Sequence, residues 1–449
     1  MVQSVPNYRY GFSQAMNLRD RLRILTNDHR WLLLSLIVAV ALRLLFILVV
    51  DPNPPLGGGD TGYYLSRGPE LVRNIANDVS PAPVYLLYVG TLEILFPSDL
   101  TTTIQFFRLL NIVWQVVLIV SVYVLGNRYF ERRVAIFAVI VIALSPIFII
   151  ETGIVETESV YLGLLFAALA LYTLWHSNPT VWRMISLGVV LGIATETRAV
   201  LLLFPLILAI HLIRLHGWRS GLRFAGVMLV FYALVVSTWT VYSWARWNHF
   251  VIGADGIVDY AWMGFHGQQS PQAVSAAAGN PQSSGEFNQN LASQVADTLL
   301  HNLPAYLKTR LTNIVGAYLQ PSDTNYLAGN SLKQIAATWL HSDRSLSGLI
   351  ALTEADAFWP KLALYLFHFW ALLGGFIGMI LCWRKFWVAL PLFGYVLYTT
   401  AVHSVLLALP RYLLPVEPIL ILFASTATLA AIAALAARRQ TPAPVLAHE

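Results

Sequence analysis

Residues 31–50 read WLLLSLIVAVALRLLFILVV. This run carries one charge, Arg43, and it matches the roughly 20 residues a helix needs to cross a hydrocarbon core. It lacks a small-residue cleavage site of the A-x-A kind, so it reads as a retained membrane helix and not as a cleaved signal. An arginine inside a span is either held by groups in the bundle or snorkels to the nearby interface.

The rest of the chain has the same character. Its 449 residues are 57% hydrophobic and 11% charged, where a soluble domain carries about a quarter charged residues. This excludes a soluble enzyme with a single anchor and implies an all-α polytopic membrane protein. The net charge of +5 is modest, and its cations gather in short loops. That pattern sets membrane orientation and does not suit nucleic-acid binding. The single cysteine, Cys382, excludes a disulfide framework and a thiolate metal site within one chain.

Before the first span, residues 1–30 hold Arg9, Arg19, Arg21, Arg23 and Arg30 and read as a cytoplasmic basic segment. After it, residues 51–103 form a first external loop. This loop contains Gly57-Gly58-Gly59-Asp60-Thr61-Gly62-Tyr63-Tyr64, a lone carboxylate among glycines followed by two tyrosines. Residues 63–76 have helical spacing and should lie along the membrane surface. Residues 84–96 are apolar but short for a span, and fit a re-entrant or interfacial helix.

Further spans are expected at 104–125, 134–150, 159–175, 184–194, 200–213, 224–245, 361–383, 386–409 and 411–437, about ten in all. Residues 246–360 form the second external loop. Its portion 267–290 reads as mobile, and 291–319 as amphipathic surface helices. The transmembrane domain thus runs over 31–439, with a short cytoplasmic tail at 440–449. Both termini are expected in the cytoplasm of a bacterial inner-membrane protein. Arginines mark every proposed inner loop, and acids collect outside.

This topology brings Asp60, Glu151, Glu156, Glu158, Glu196, Arg198, Arg246, His403, Arg411 and Glu417 to one face. Transporter charges sit mid-membrane on broken helices. Charges at helix ends suit chemistry on an amphiphilic substrate whose phosphate lies at the interface. Glu151 and Glu156 read as solvated.

The motifs resemble the C-type glycosyltransferase fold, in the branch of protein O-mannosyltransferases and lipid A aminoarabinose transferases. Gly59-Asp60-Thr61-Gly62-Tyr63-Tyr64 resembles the family's acidic first-loop motif, with Thr61 where relatives often carry a second acid. Phe107-Arg108-Leu109-Leu110-Asn111, Ser145-Pro146 through Glu158, Thr197-Arg198, Arg246-Trp247-Asn248, His403 and Pro410-Arg411-Tyr412-Leu413-Leu414-Pro415 resemble later motifs in order.

The resemblance implies transfer of a sugar from a polyprenyl-phosphate donor to a hydroxyl acceptor on a lipid, glycan or protein. Transfer would occur on the extracytoplasmic face with inversion. Asp60 would act as general base, made basic by partial desolvation. Glu158 would orient the acceptor, hold an arginine, or join Asp60 on a divalent cation such as Mg or Mn. Arg198, Arg246, Arg411 and His403 would hold the donor phosphate, and Tyr63 and Tyr64 would stack on sugar. A transporter or flippase of lipid-linked sugars, or a non-catalytic assembly subunit, are the competing classes.

Overall fold

A computed structural model describes residues 18–53, 59–76, 83–252, 257–266, 271–279, 284–322, 326–327, 329–342 and 344–440. Gly57 and Gly58 of the glycine run lie outside these, as do most of the basic N-terminal segment and the C-terminal tail. All regular elements among the described residues are helical.

The first half of the chain runs as α1 (Leu18–Leu45), α2 (Gly59–Val72), α3 (Pro83–Leu95), α4 (Leu100–Tyr129), α5 (Arg132–Leu144), α6 (Pro146–Thr152), α7 (Thr157–Trp175), α8 (Val181–Thr197) and α9 (Phe204–Trp247). Then follow α10 (Ile257–His266), α11 (Pro271–Ala278), α12 (Ser284–His301), α13 (Leu303–Tyr318), α14 (Leu332–Ser342) and α15 (Leu346–Ala351). The chain closes with α16 (Phe358–Leu381), α17 (Leu390–Val405), α18 (Pro410–Leu413) and α19 (Glu417–Gln440).

Among the described residues six helices are long and apolar enough to cross a membrane, or up to seven if α5 and α6, bent by 54°, form one span. Ten were expected, and the difference has physical causes. α8 and α17 have 17 and 16 residues, short of a full crossing at 1.5 Å per residue. α9 is two arms. Gly217 breaks it with φ 75° and ψ 169°, a left-handed φ that glycine adopts without a Cβ clash. A Cβ on Gly221 would lie 2.4 Å from Ile213 Cα. Eight residues of unbroken helix would separate those positions by about 12 Å, so the chain doubles back here. Residues 267–290, expected as a loop, hold α11 and the start of α12. Pro271 opens α11 and the alanines of 273–278 favour the helix that follows.

The core lies among α4, α5, α7, α8, α9, α16, α17 and α19. α16 and α19 approach closely at Gly378, where a Cβ would sit 2.0 Å from Phe423 O. In lipid, such small residues let helix backbones pack without a hydrophobic driving force. Local caps start two of the bundle helices. Asp99 accepts from Thr102 N at 3.1 Å to open α4, and Thr180 accepts from Arg183 N at 3.4 Å to open α8.

Arg43 does not snorkel. It is 1% exposed and donates to Ala39 O at 3.1 Å, Ala143 O at 3.3 Å and Ile142 O at 3.4 Å. The reason lies in α5. Pro146 has no N–H to give Ile142 O, so the helix ends with orphan carbonyls. Arg43 supplies the missing donors at the negative end of the α5 dipole.

Candidate active site

Four separated stretches meet at one end of the bundle: the start of α2, the α6–α7 turn, the end of α8, and α18. Asp60 lies in the first turn of α2, where the helix dipole favours an acid. Thr61 Oγ1 donates to Val155 O at 3.2 Å and ties that turn to the α6–α7 connection. A carboxylate in place of Thr61 could not donate this bond.

Two arginines organise the acids. Arg198, the residue that ends α8, pairs with Glu158 Oε1 at 2.7 Å. The pair is deeply buried, with side-chain exposures of 15% and 5%. Burial works against the Arg198 charge, but Glu158 and then Tyr412 and Tyr161 outweigh it, and its pKa is raised. Arg411 Nη1 lies 3.0 Å from Asp60 Oδ2 and 3.2 Å from Glu156 Oε2. Tyr412 sits between the cations, its ring 5.3 Å from the Arg198 guanidinium carbon and 5.4 Å from that of Arg411. Cation–π contact of this kind fixes both guanidinium groups beside one ring.

Asp60 is 46% exposed at its side chain and Arg411 36%. Asp60 is thus partly desolvated, and Arg411 faces it directly. An ion pair this exposed contributes about 0–1 kcal/mol, so a competing anion can exchange for it.

The other expected residues divide. Tyr63 is exposed at the surface. Tyr64 is buried and packs edge-on against Tyr85 with ring centroids 4.8 Å apart. Burial, and then the charges of Glu158 and Asp60, push the Tyr64 phenol well above its usual range. It is therefore a neutral O–H beside the acids. His403 stacks on Tyr412 at 5.3 Å, and its Nδ1 lies 3.0 Å from Leu407 O. A carbonyl only accepts, so Nδ1 carries the proton. In the neutral ring Nε2 is then an acceptor, which is the wrong polarity for a phosphate oxygen.

Arg246 is not brought to the cluster. Its Nη2 donates to Asn74 O at 3.2 Å, beyond the far end of α2. Asn74 lies fourteen residues past Asp60, roughly 20 Å along a helix. Arg246 serves there as a cation at the carbonyl end of α2. Two acids expected to be solvated are not: Glu151 is 1% exposed, and Glu156 pairs with Arg411. Glu417, a possible structural partner of Arg411 from its sequence position, faces His368 instead at 3.7 Å. Glu156, expected to be solvated, and Tyr412, quoted only within a motif, are the site residues to which the sequence assigned no role.

Among the described residues no group of three or more His, Cys, Asp or Glu could hold a metal ion. Asp60 and Glu158, the proposed metal pair, face different arginines.

Residues 90–244 match the family described as dolichyl-phosphate-mannose-protein mannosyltransferase. Glu156, Glu158 and Arg198 fall within that segment, while Asp60 and Arg411 lie outside it. The chain is similar to the oligosaccharyltransferase of Archaeoglobus fulgidus in its apo form, with TM-score 0.53 and 16% identity over 91% of this chain and 52% of that one. Its form tethered to an acceptor peptide gives 0.51 and 15%, over 94% and 52%. ArnT from Cupriavidus metallidurans gives 0.40 and 16%, over 93% and 82%. The chain thus spans about half the length of the oligosaccharyltransferase it matches. No curated protein sequence matches the chain. The chain has the fold of the C-type membrane glycosyltransferases, and over residues 90–244 it carries the sequence pattern of the protein-mannosyltransferase family.

Proposed function

We propose that this chain transfers a sugar from a polyprenyl-phosphate donor to a hydroxyl acceptor at the extracytoplasmic membrane surface, with inversion. One observation carries the reading: two arginines lie against the single ring of Tyr412 and pair with three carboxylates, the five charges coming from four separate stretches. The family description matched over residues 90–244 names a dolichyl-phosphate sugar, which supports the donor class.

In this reading the donor phosphate binds Arg411 and Arg198, with Arg411 giving up its exposed contact to Asp60. Asp60 then takes the acceptor's hydroxyl proton as that oxygen attacks the anomeric carbon. The bond from that carbon to the phosphate oxygen breaks, and the phosphate leaves as an anion that needs cations more than a proton. Glu158 keeps Arg198 charged and oriented. Tyr63 is the exposed ring available to a sugar face. A divalent cation would have to displace an arginine from a carboxylate, and we assign no step to one.

The test uses purified chain in liposomes with a polyprenyl-phosphate sugar and a hydroxyl acceptor. Transfer should release polyprenyl phosphate in proportion to glycosylated acceptor. Movement of intact donor across the bilayer with no release would support a flippase and overturn this reading.

A further inference from the structure

Behind the corner that carries Arg411 lies a cavity of about 20 Å³, lined by Ala317, Ser322, His368, Pro410, Leu413 and Glu417 among others. It is lined by α13 and the residues after it, α16, α18 and α19. Three polar side chains reach it, and all three residues are at least nine-tenths buried: Ser322 at 3% exposure, Glu417 at 5% and His368 at 9%.

Donor and acceptor accounting leaves this cluster incomplete. His368 Nε2 lies 2.8 Å from Tyr318 O, so Nε2 carries the proton. Nδ1 lies 3.7 Å from Glu417 Oε1, too far for a direct hydrogen bond whichever of the two carries a proton. Among the described residues, His368 Nδ1 and Ser322 Oγ both lack a hydrogen-bond partner. Two polar groups held this far apart, with no direct bond between them, leave room for a hydrogen-bonding bridge.

We propose that this cavity is a binding site for one water molecule. About 10–15 Å³ suffices for a water, which needs two to four polar partners, and the site offers both. The water donates one hydrogen to Glu417 and uses its second hydrogen and its oxygen for His368 Nδ1 and Ser322 Oγ. All three side chains are then satisfied. It ties α19 to α16 and to the end of the external loop helix α13, directly behind Pro410 and Leu413. Ser322, His368 and Glu417 are thereby positioning residues for Arg411 and Tyr412.

The experiment is cryo-EM of the full chain in lipid nanodiscs at a resolution that shows ordered water, combined with thermal unfolding. One peak is expected within about 3.2 Å of Ser322 Oγ, His368 Nδ1 and Glu417 Oε1. Ser322→Val puts a methyl in its place, so the peak should vanish and the midpoint fall by about 2–4 °C. Ser322→Ala should keep the peak and fall less. Direct ring–carboxylate contact with no peak between them would overturn the proposal. So would a midpoint that Ser322→Val leaves unchanged. A further readout rests on the sugar-transfer reading: Ser322→Val should raise donor KM more than it lowers kcat, because Arg411 is displaced and not removed. A chain that transfers no sugar would sink that reading alone, since density and midpoint still judge the water site.

Discussion

Arg198 and Arg411 are not equivalent cations. Arg198 is locked to a buried acid, whereas Arg411 shares itself between a partly buried and a half-exposed one. Removing one partner of a buried pair costs about 3–5 kcal/mol because the other charge is left uncompensated. Arg198→Ala should therefore both destabilise the chain and cut kcat/KM for the donor by about 10²–10³-fold, the cost of losing one preorganised donor to a developing anion. The double variant Arg198→Ala/Glu158→Gln separates the effects. Its unfolding midpoint should recover while kcat/KM stays low; recovery of both would make Arg198 a structural residue only.

At this scale the sequence was a partial guide. Asp60, Glu158, Arg198 and Arg411 were legible because charges at the ends of apolar helices must gather where the spans end. Glu156 was not, because its partner lies 255 residues away and no local pattern announces it. Arg246 was misplaced because chain order puts it at a loop mouth, while the length of α2 carries that mouth away from Asp60. His403 was given the right neighbourhood and the wrong polarity, since only its bond to Leu407 O fixes which nitrogen holds the proton.

Among the elements, close glycine contact and open glycine should respond with opposite signs. Gly378→Ala drives a Cβ into Phe423 O, and overpacking of this kind costs about 1–3 kcal/mol. Gly226 in α9 has nothing within 4 Å of the added carbon, so Gly226→Ala should stabilise by about 0.4–1 kcal/mol. Unfolding midpoints of the two variants check this, and equal shifts would contradict the packing of α16 on α19. Most helices could be located from apolar runs alone. The helical hairpin at Gly217 and the α5–α6 bend could be marked only as boundaries. Their geometry depends on how Arg43 and the second arm of α9 pack, which hydropathy does not encode.

Across the whole molecule the charges have a polarity. The carboxylates and two arginines described above occupy one end. At the other, Arg128 donates to Ser177 Oγ at 2.7 Å, Arg183 to Asn178 O at 2.7 Å, and His216 reaches His176 O at 2.6 Å. By the positive-inside rule we propose that this second end faces the cytoplasm. Exposed positions at each end test that placement. With Cys382→Ser as background, Thr101→Cys should react with an impermeant maleimide added outside intact cells. Asn178→Cys should react only after permeabilisation. The reverse pattern would invert the topology and put the site in the cytoplasm.

The claim that Asp60 takes the acceptor's proton is tested most directly by Asp60→Asn, assayed for sugar transfer from a polyprenyl-phosphate donor beside the unaltered chain. Asparagine keeps the shape and the position facing Arg411 but cannot act as a base. A positioned general base contributes about 10²–10⁴-fold, so kcat should fall by that factor with an unchanged unfolding midpoint. Transfer at the original rate by a folded Asp60→Asn chain would contradict the account.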